Sequence, residues 1–209
     1  MSDSYIINEK RELILDRVKA FIYQNGGIAK KSQLAELGID YRRILDFVEK
    51  GDLIRIKSGY YTVRLSDFSE EEFIAKLFPD AVLNLETALY AYGYLEQRPY
   101  GFKLSVDKNT SKSRFKLDFP QVTPLYAEPE TLQFGVTQID FGGTKMQIFE
   151  KDRLVCECLK YEDKMEREFF KEGLLCYIRD PKKDVAKLMK YARERKVVRK
   201  VQTMIGVWL

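Results

Sequence analysis

Apolar residues recur at helical spacing between Ile14 and Ile22 and predict a helix over residues 9–24. The glycines of "NGG" end it, because glycine adopts the left-handed conformation that closes many helices. "IAKKSQLAELG" predicts a second short helix, and a third follows Asp40, whose carboxylate can cap it. Alternating residues in "LIRIKSGYYTV" predict two short strands around a Ser-Gly turn. This order of elements predicts a winged helix-turn-helix domain over residues 1–66.

A second domain is predicted over residues 67–209. Ser69 and Glu72 have the spacing of a capping box and predict a helix start. Short β-prone segments follow, and "FGVTQIDFGGTKMQIF" has the glycine pair and the flanking alternation of a hairpin. From about residue 150 the pattern becomes helical to the end. The predicted class is α+β, with a winged helix-turn-helix followed by a mixed domain that ends in helices.

Basic and aromatic residues recur on the three elements of a winged helix that meet DNA. In such a domain the third helix enters the major groove, and the hairpin contacts the flanking backbone. The start of the second helix is a usual place for phosphate contacts. The predicted DNA-binding residues are Lys30, Lys31, Tyr41, Arg42, Arg43, Arg55, Lys57 and Tyr60.

Other roles are open for this face. Arg42 and Arg43 have the spacing to form ordinary surface ion pairs with Asp46, each contributing ~0.2–0.5 kcal/mol. Winged helices also serve as protein-interaction modules. The acidic Asp46 and Glu49 on the exposed face predict a modest affinity for DNA.

The distribution of charge indicates two contact surfaces. Residues 1–66 carry a net charge of +3, residues 67–178 of −6 and residues 179–209 of +7. The last segment is predicted to be a docking surface for an acidic protein or for RNA, with a solvated helix face as the alternative. Its predicted surface residues are Lys182, Lys183, Lys187, Lys190, Arg193, Arg195, Arg199 and Lys200.

The composition excludes several chemistries. The chain has no histidine, so it has no histidine general base and no histidine metal ligand. Cys156 and Cys158 lack a second cysteine pair, so no zinc site is predicted. If their segment is a helix, one thiol is expected in the core and the other near the surface. Asp118 and Asp140 are predicted on strands as a possible carboxylate pair, but nothing else converges on them. No metal, cofactor or catalytic residue is predicted.

No segment is long and apolar enough for a membrane helix, and the first residues lack the layout of a signal peptide. Together with an odd number of cysteines, this predicts a cytoplasmic protein without a membrane partner.

The sequence resembles the AbiEi-type antitoxins of bacterial type IV toxin–antitoxin systems, which are linked to abortive phage infection. "GGIAKKSQLAELGID…ILDFVEKGDLIRIKSGYY" is similar to their winged helix, and the resemblance continues through "LETALYAYGYLE", "IFEKDRLVCECLK" and "LMKYARERKVVRKVQTMIGVWL". The order of these segments, more than any single motif, supports the resemblance. Leu154 and Glu157 depart from the family's threonine and aspartate. Arg153 in this stretch is expected to bridge carboxylates.

The resemblance implies two activities. The winged helix would bind inverted repeats in the promoter of its own operon and repress it. The second domain would counteract a nucleotidyltransferase toxin without requiring a stable complex with it. The chain lacks the Gly-Ser and Asp-x-Asp core of such a transferase, so it is not itself the toxin.

Three other functions are compatible with the sequence. The chain could be a plain winged-helix regulator whose C-terminal domain senses a ligand or dimerises. It could be a metal-dependent nuclease fused to a winged helix. It could also bind RNA through its basic C-terminal helices.

Overall fold

The computed structural model describes residues 2–208, with side chains from residue 9 onward. The chain divides into two compact units. The N-terminal unit runs to Phe78 and includes Lys116–Pro120 and Gly142–Thr144, and the C-terminal unit comprises the remainder.

The N-terminal unit is the predicted winged helix followed by one more helix. Its elements are α1 (Ser2–Gln24), β1 (Ala29–Lys30), α2 (Lys31–Glu36), α3 (Tyr41–Glu49), β2 (Ile54–Lys57), β3 (Tyr60–Thr62) and α4 (Glu70–Leu77). The strands form an antiparallel sheet in the order β1-β3-β2.

Burial of one face of each helix builds the core of this unit. Val18 and Ile22 of α1, Leu34 of α2, and Ile44 and Phe47 of α3 are fully buried together. Removing this apolar surface from water is the main source of the unit's stability. It also leaves the opposite face of α3 toward solvent.

The predicted helix starts are confirmed. Asp40 accepts a hydrogen bond from the backbone N–H of Arg43 at 2.9 Å and caps α3. Ser69 and Glu72 form the predicted capping box at the start of α4. Both caps satisfy backbone donors that have no partner inside the helix.

The C-terminal unit is α+β and ends in helices, as predicted. Its elements are β4 (Val82–Leu83), α5 (Leu85–Ala91), β5 (Phe102–Asp107), β6 (Val122–Ala127), β7 (Val136–Phe141), β8 (Thr144–Phe149), α6 (Lys151–Lys160), α7 (Arg167–Arg179), α8 (Val185–Arg195) and α9 (Val198–Met204).

A mixed sheet with strand order β6-β5-β4-β8-β7 organises this unit. β4 pairs antiparallel with β5 and parallel with β8, while β5 and β6 are parallel. The predicted glycine pair, Gly142 and Gly143, separates β7 from β8, and both glycines have positive φ angles. The inner face of the sheet packs Leu104 and Ile148, both 0 % exposed, into the core.

Helix α6 is the central helix of the C-terminal unit. Every residue from Asp152 to Leu159 is buried, including three charged ones. Cys156 and Cys158 are both buried, so the expectation of one thiol near the surface is wrong. Burial raises the pKa of Cys156 to about 12 and that of Cys158 well above its usual value, which leaves both as unreactive thiols.

Candidate nucleic-acid interface

The wing and the start of α2 are joined through the backbone. β1 pairs with β3, which sets Lys30 opposite Tyr60. The N–H of Lys31, the first residue of α2, donates a hydrogen bond to the carbonyl of Gly59 at the tip of the wing (2.8 Å). Gly59 has φ +80°, a conformation that glycine adopts without the steric cost of a Cβ. Two of the predicted DNA-binding elements are therefore held as one surface.

Lysines and tyrosines alternate on this surface. The ammonium of Lys31 lies 3.9 Å from the centroid of the Tyr41 ring, and that of Lys57 lies 4.4 Å from the Tyr60 ring. Lys30 is 6.0 Å from the Tyr60 ring centroid. Cation–π contacts of this kind contribute ~0.5–1 kcal/mol at exposed sites and leave the positive charge in place. The tyrosines thus restrict where the lysine charges lie.

Arg42 and Arg43 are exposed on the first turn of α3. Asp46, the partner that would have made them ordinary surface ion pairs, is occupied by two other cations. Lys50 contacts it at 2.9 Å and Arg11 of α1 at 2.9 Å. The hydrogen bond from Lys50, followed in size by that from Arg11, lowers the pKa of the Asp46 carboxyl group. Within residues 9–208, no acidic side chain forms an ion pair with Arg42 or Arg43.

Arg11 holds α3 against α1. Besides Asp46, its guanidinium contacts Asp52 just beyond the end of α3 and lies 5.0 Å from the ring centroid of Phe47. The hydrogen bond to Asp52, followed in size by that to Asp46, raises the pKa of the Arg11 guanidinium. These contacts fix the angle at which α3 is presented.

A groove of about 600 Å³ runs between α1 and α3. Basic groups predominate in its lining, which consists of Lys10, Arg11, Asp40, Arg42, Arg43, Asp46 and Lys50. Lys10 and Lys50 were missed from sequence. The spacing of Lys50 from Asp46 was visible on the predicted helix, whereas the position of Lys10 depends on how α1 packs.

The remaining residues of the predicted face lie on the wing and on the outer side of α3. Arg55 is exposed on β2, and an irregularity in the β2–β3 register falls between Arg55 and Lys57. Glu49 is exposed on α3. Its negative charge would repel a polyanion such as DNA.

Not all of the C-terminal basic residues are available at the surface. Lys182, Lys190, Arg193 and Arg199 are exposed. Others are engaged within the unit: Lys187 pairs with Glu150 at 3.1 Å, and Lys200 donates to the carbonyl of Leu159 at 2.7 Å and pairs with Glu162 at 3.0 Å. Lys183 is half-buried and approaches the carbonyl of Asp180.

Arg195 corrects the prediction that placed it on the partner surface. It is 6 % exposed and forms two hydrogen bonds with Glu157, one of them, from Nη2 to Oε2, at 2.9 Å. Nη1 of Arg153 lies 2.9 Å from the other oxygen of Glu157. The chain therefore contains a buried Arg153–Glu157–Arg195 triad, in which a carboxylate bridges two arginines. The expectation that Arg153 bridges carboxylates is wrong.

The ring faces of Phe134 and Phe149 lie against the Arg153 guanidinium, at 4.3 and 4.8 Å from the ring centroids. Burial lowers the pKa of Arg153 to about 10, which still leaves the side chain protonated at neutral pH. The stretch that carries the family resemblance here has a structural role in the core.

Of the two aspartates predicted on strands as a carboxylate pair, only Asp140 lies on a strand. Asp118 lies in a bend and not on a strand, so that prediction is wrong. Among the described residues, no group of three or more acidic or cysteine side chains is placed to hold a metal ion.

Within the described part of the chain, no helix combines the length and the apolar character needed to cross a membrane.

Comparison with known proteins agrees with the N-terminal geometry. No curated protein matches the chain. Residues 16–64, which run from the middle of α1 to the end of the wing, match a family model. Residues 16–64 are thus similar to the family described as "Transcriptional regulator, AbiEi antitoxin", which confirms over this stretch the resemblance drawn from the sequence.

Proposed function

We propose that this protein represses its own operon by binding inverted repeats in the promoter, and that it is the antitoxin for a nucleotidyltransferase toxin. In this proposal residues 1–66 bind DNA, residues 67–209 counteract the toxin, and the protein acts in the cytoplasm with no catalytic step of its own. The regulator family matched by residues 16–64 supports the general role.

One observation carries the DNA-binding part. Asp46 is neutralised by Arg11 and Lys50, so the guanidinium groups of Arg42 and Arg43 remain available on α3. A guanidinium can form two hydrogen bonds with guanine in the major groove, or pair with phosphate. The ammonium groups of Lys30, Lys31 and Lys57 would contact the flanking backbone, and Tyr41, Tyr60 and Arg55 complete the proposed face.

The decisive experiment is fluorescence anisotropy with about 200 bp of DNA from upstream of the gene. Scrambled DNA of equal length and composition is the comparison, and both are titrated across a salt series, because phosphate contacts make affinity salt-dependent. Specific affinity at least ~10³-fold above scrambled DNA supports autorepression. Equal, weak binding to both DNAs at every salt concentration contradicts it and makes the winged helix a protein-docking module.

The antitoxin part rests on the family description and on the exposed cations of the C-terminal helices. We propose that Lys182, Lys190, Arg193 and Arg199 contact an acidic surface of the toxin or the RNA on which it acts. Induced expression of the neighbouring gene, with and without this protein, tests the activity. Growth restored by the protein supports it. Toxicity that this protein leaves unchanged contradicts it, whatever the DNA result.

A further inference from the structure

A cleft in the C-terminal unit is lined by residues that belong neither to the proposed DNA face nor to the basic C-terminal segment. Its volume is about 360 Å³, within the size range of ligand sites. It is formed by the start of α5, the segment before β5, the start of α7 and the residues leading into it. The lining consists of Glu86, Pro99, Tyr100, Lys103, Thr123, Asp163, Lys164, Met165, Glu166 and Phe169.

One oxygen of a buried carboxylate in this lining lacks a hydrogen-bond partner. Glu86 is only 2 % exposed. Its Oε1 accepts a hydrogen bond from the N–H of Glu166 at 3.2 Å, but its Oε2 is buried without any hydrogen bond. A buried carboxylate oxygen without a donor is costly, so native structures rarely retain one without a reason. Because Glu86 also lines the cleft, we take a donor bound in the cleft as the partner of this oxygen.

The backbone around Glu86 is held in place by its neighbours. Leu85 has φ +46°, a left-handed conformation that costs free energy for a residue with a side chain. Asn84 maintains it by accepting from the N–H of Leu85 at 2.7 Å and donating to Ser105 at 2.8 Å. Thr87 accepts from the N–H of Lys103 at 2.8 Å. Bonds on both sides therefore fix Glu86 in a strained segment.

Charge and shape identify the ligand class. The lysines of the cleft are engaged: Lys103 donates to the carbonyl of Lys164 at 3.1 Å, and the Lys164 ammonium lies 4.9 Å from the Tyr161 ring centroid. Across residues 9–208, no cation is paired with Asp163 or Glu166. The acidic side chains of the cleft do not converge as metal ligands. An extended organic cation suits them better than a metal ion.

The aromatic wall favours a planar cation. Tyr100 is 86 % exposed at the cleft, and Phe169 lies in its lining. Guanidinium groups stack on aromatic faces and donate parallel hydrogen bonds to a carboxylate, whereas an ammonium is a compact, strongly hydrated charge. From these features we propose that the cleft binds a guanidinium group, with Glu86 as its acceptor and Tyr100 as its stacking surface. The site is independent of the proposed DNA face.

The test uses the full-length protein and nuclear magnetic resonance titrations. The probes are N-acetyl-arginine amide, its neutral isostere N-acetyl-citrulline amide, N-acetyl-lysine amide and agmatine. We expect the arginine amide to shift the backbone amides of Lys103 and Glu166 saturably, and citrulline not to do so. A capped arginine that binds more tightly than agmatine points to a polypeptide ligand, and the reverse order points to a free guanidine compound.

Variants identify the site. Glu86→Gln keeps an acceptor for the N–H of Glu166 and is expected to weaken arginine binding at least tenfold, because the charge is lost. Tyr100→Ala alters an exposed side chain that the fold does not need and should weaken binding about threefold. The matched control, Glu194→Gln on α8, should bind as the wild type does. Equal shifts by citrulline and arginine, equal binding by lysine, or wild-type binding by Glu86→Gln would each overturn the proposal.

Discussion

Two arginine pairs in this chain have opposite environments. Arg42 and Arg43 lie exposed on α3, and the acidic residue within their reach is taken by other cations. Arg153 and Arg195 are buried and share Glu157 between them. The first pair keeps its charge available for an outside partner, whereas the charge of the second is balanced by Glu157 inside the fold.

This difference shows that the partner of a basic residue, and not local charge density, decides its role. The segment 179–209 has a higher net charge than residues 1–66, yet several of its cations are bound internally.

Removing the carboxylate of the buried triad should cause the largest loss. Glu157→Ala leaves two buried guanidinium groups without a counterion, which we expect to lower the free energy of unfolding by ~3–5 kcal/mol. Differential scanning calorimetry would show a lower melting temperature. Glu194→Ala, an exposed glutamate on the same unit, is the control and should change stability little. Equal effects of the two variants would mean that the triad does not hold the unit together.

Removing Arg42 and Arg43 should weaken DNA binding and leave the stability of the fold unchanged. Arg42→Ala combined with Arg43→Ala is expected to weaken operator binding by ~1–3 kcal/mol if one arginine contacts a base, with an unchanged melting temperature. The matched control is Lys190→Ala with Arg193→Ala, which removes the same charge from the C-terminal unit. Anisotropy distinguishes the two. A pure phosphate role would instead weaken binding to all sequences alike and reduce the salt slope.

Neutralising Asp46 should act in the opposite direction. Asp46→Asn removes a negative charge beside the proposed face and releases Lys50, so operator affinity should rise by about twofold to fivefold at low salt. High salt should erase the gain. Anisotropy at two salt concentrations measures this. A loss of affinity would show that Asp46 serves mainly to orient α3 through Arg11.

The smallest expected effect concerns the ring under Lys31. Tyr41→Ala removes the cation–π contact and should weaken operator binding by ~0.5–1 kcal/mol. Tyr41→Phe keeps the ring face and should bind nearly as the wild type does. If the phenylalanine variant were as weak as the alanine variant, the hydroxyl and not the ring face would be the important group.

The sequence predicted the local elements of the winged helix well, because each depends on near neighbours. Asp40 and Ser69 cap helices through groups three residues away, and the wing follows from its alternation and its glycine. Such signals are read within one turn of the chain. The exposed face of α3 followed from the same periodicity.

The sequence could not predict contacts between distant elements. The pairing of Arg11 with Asp46 and Asp52 depends on how α1 packs on α3. The burial of Arg195 depends on α8 packing on α6, which brings it to Glu157. Runs of charged residues are usually solvated, and in sequence the basic segment 179–209 looks like such a run. Only the tertiary packing shows which of its cations have internal partners. The unpartnered oxygen of Glu86 arises in the same way, where α5 meets the segment leading into α7.

The hydrogen bond between the N–H of Lys31 and the carbonyl of Gly59 affects how quickly the protein should recognise its site. Because the wing is already attached to α2, neither element has to rearrange when it meets DNA. Association should then approach the rate set by diffusion and electrostatic attraction. Substitutions on this face should shorten the lifetime of the complex much more than they slow its formation.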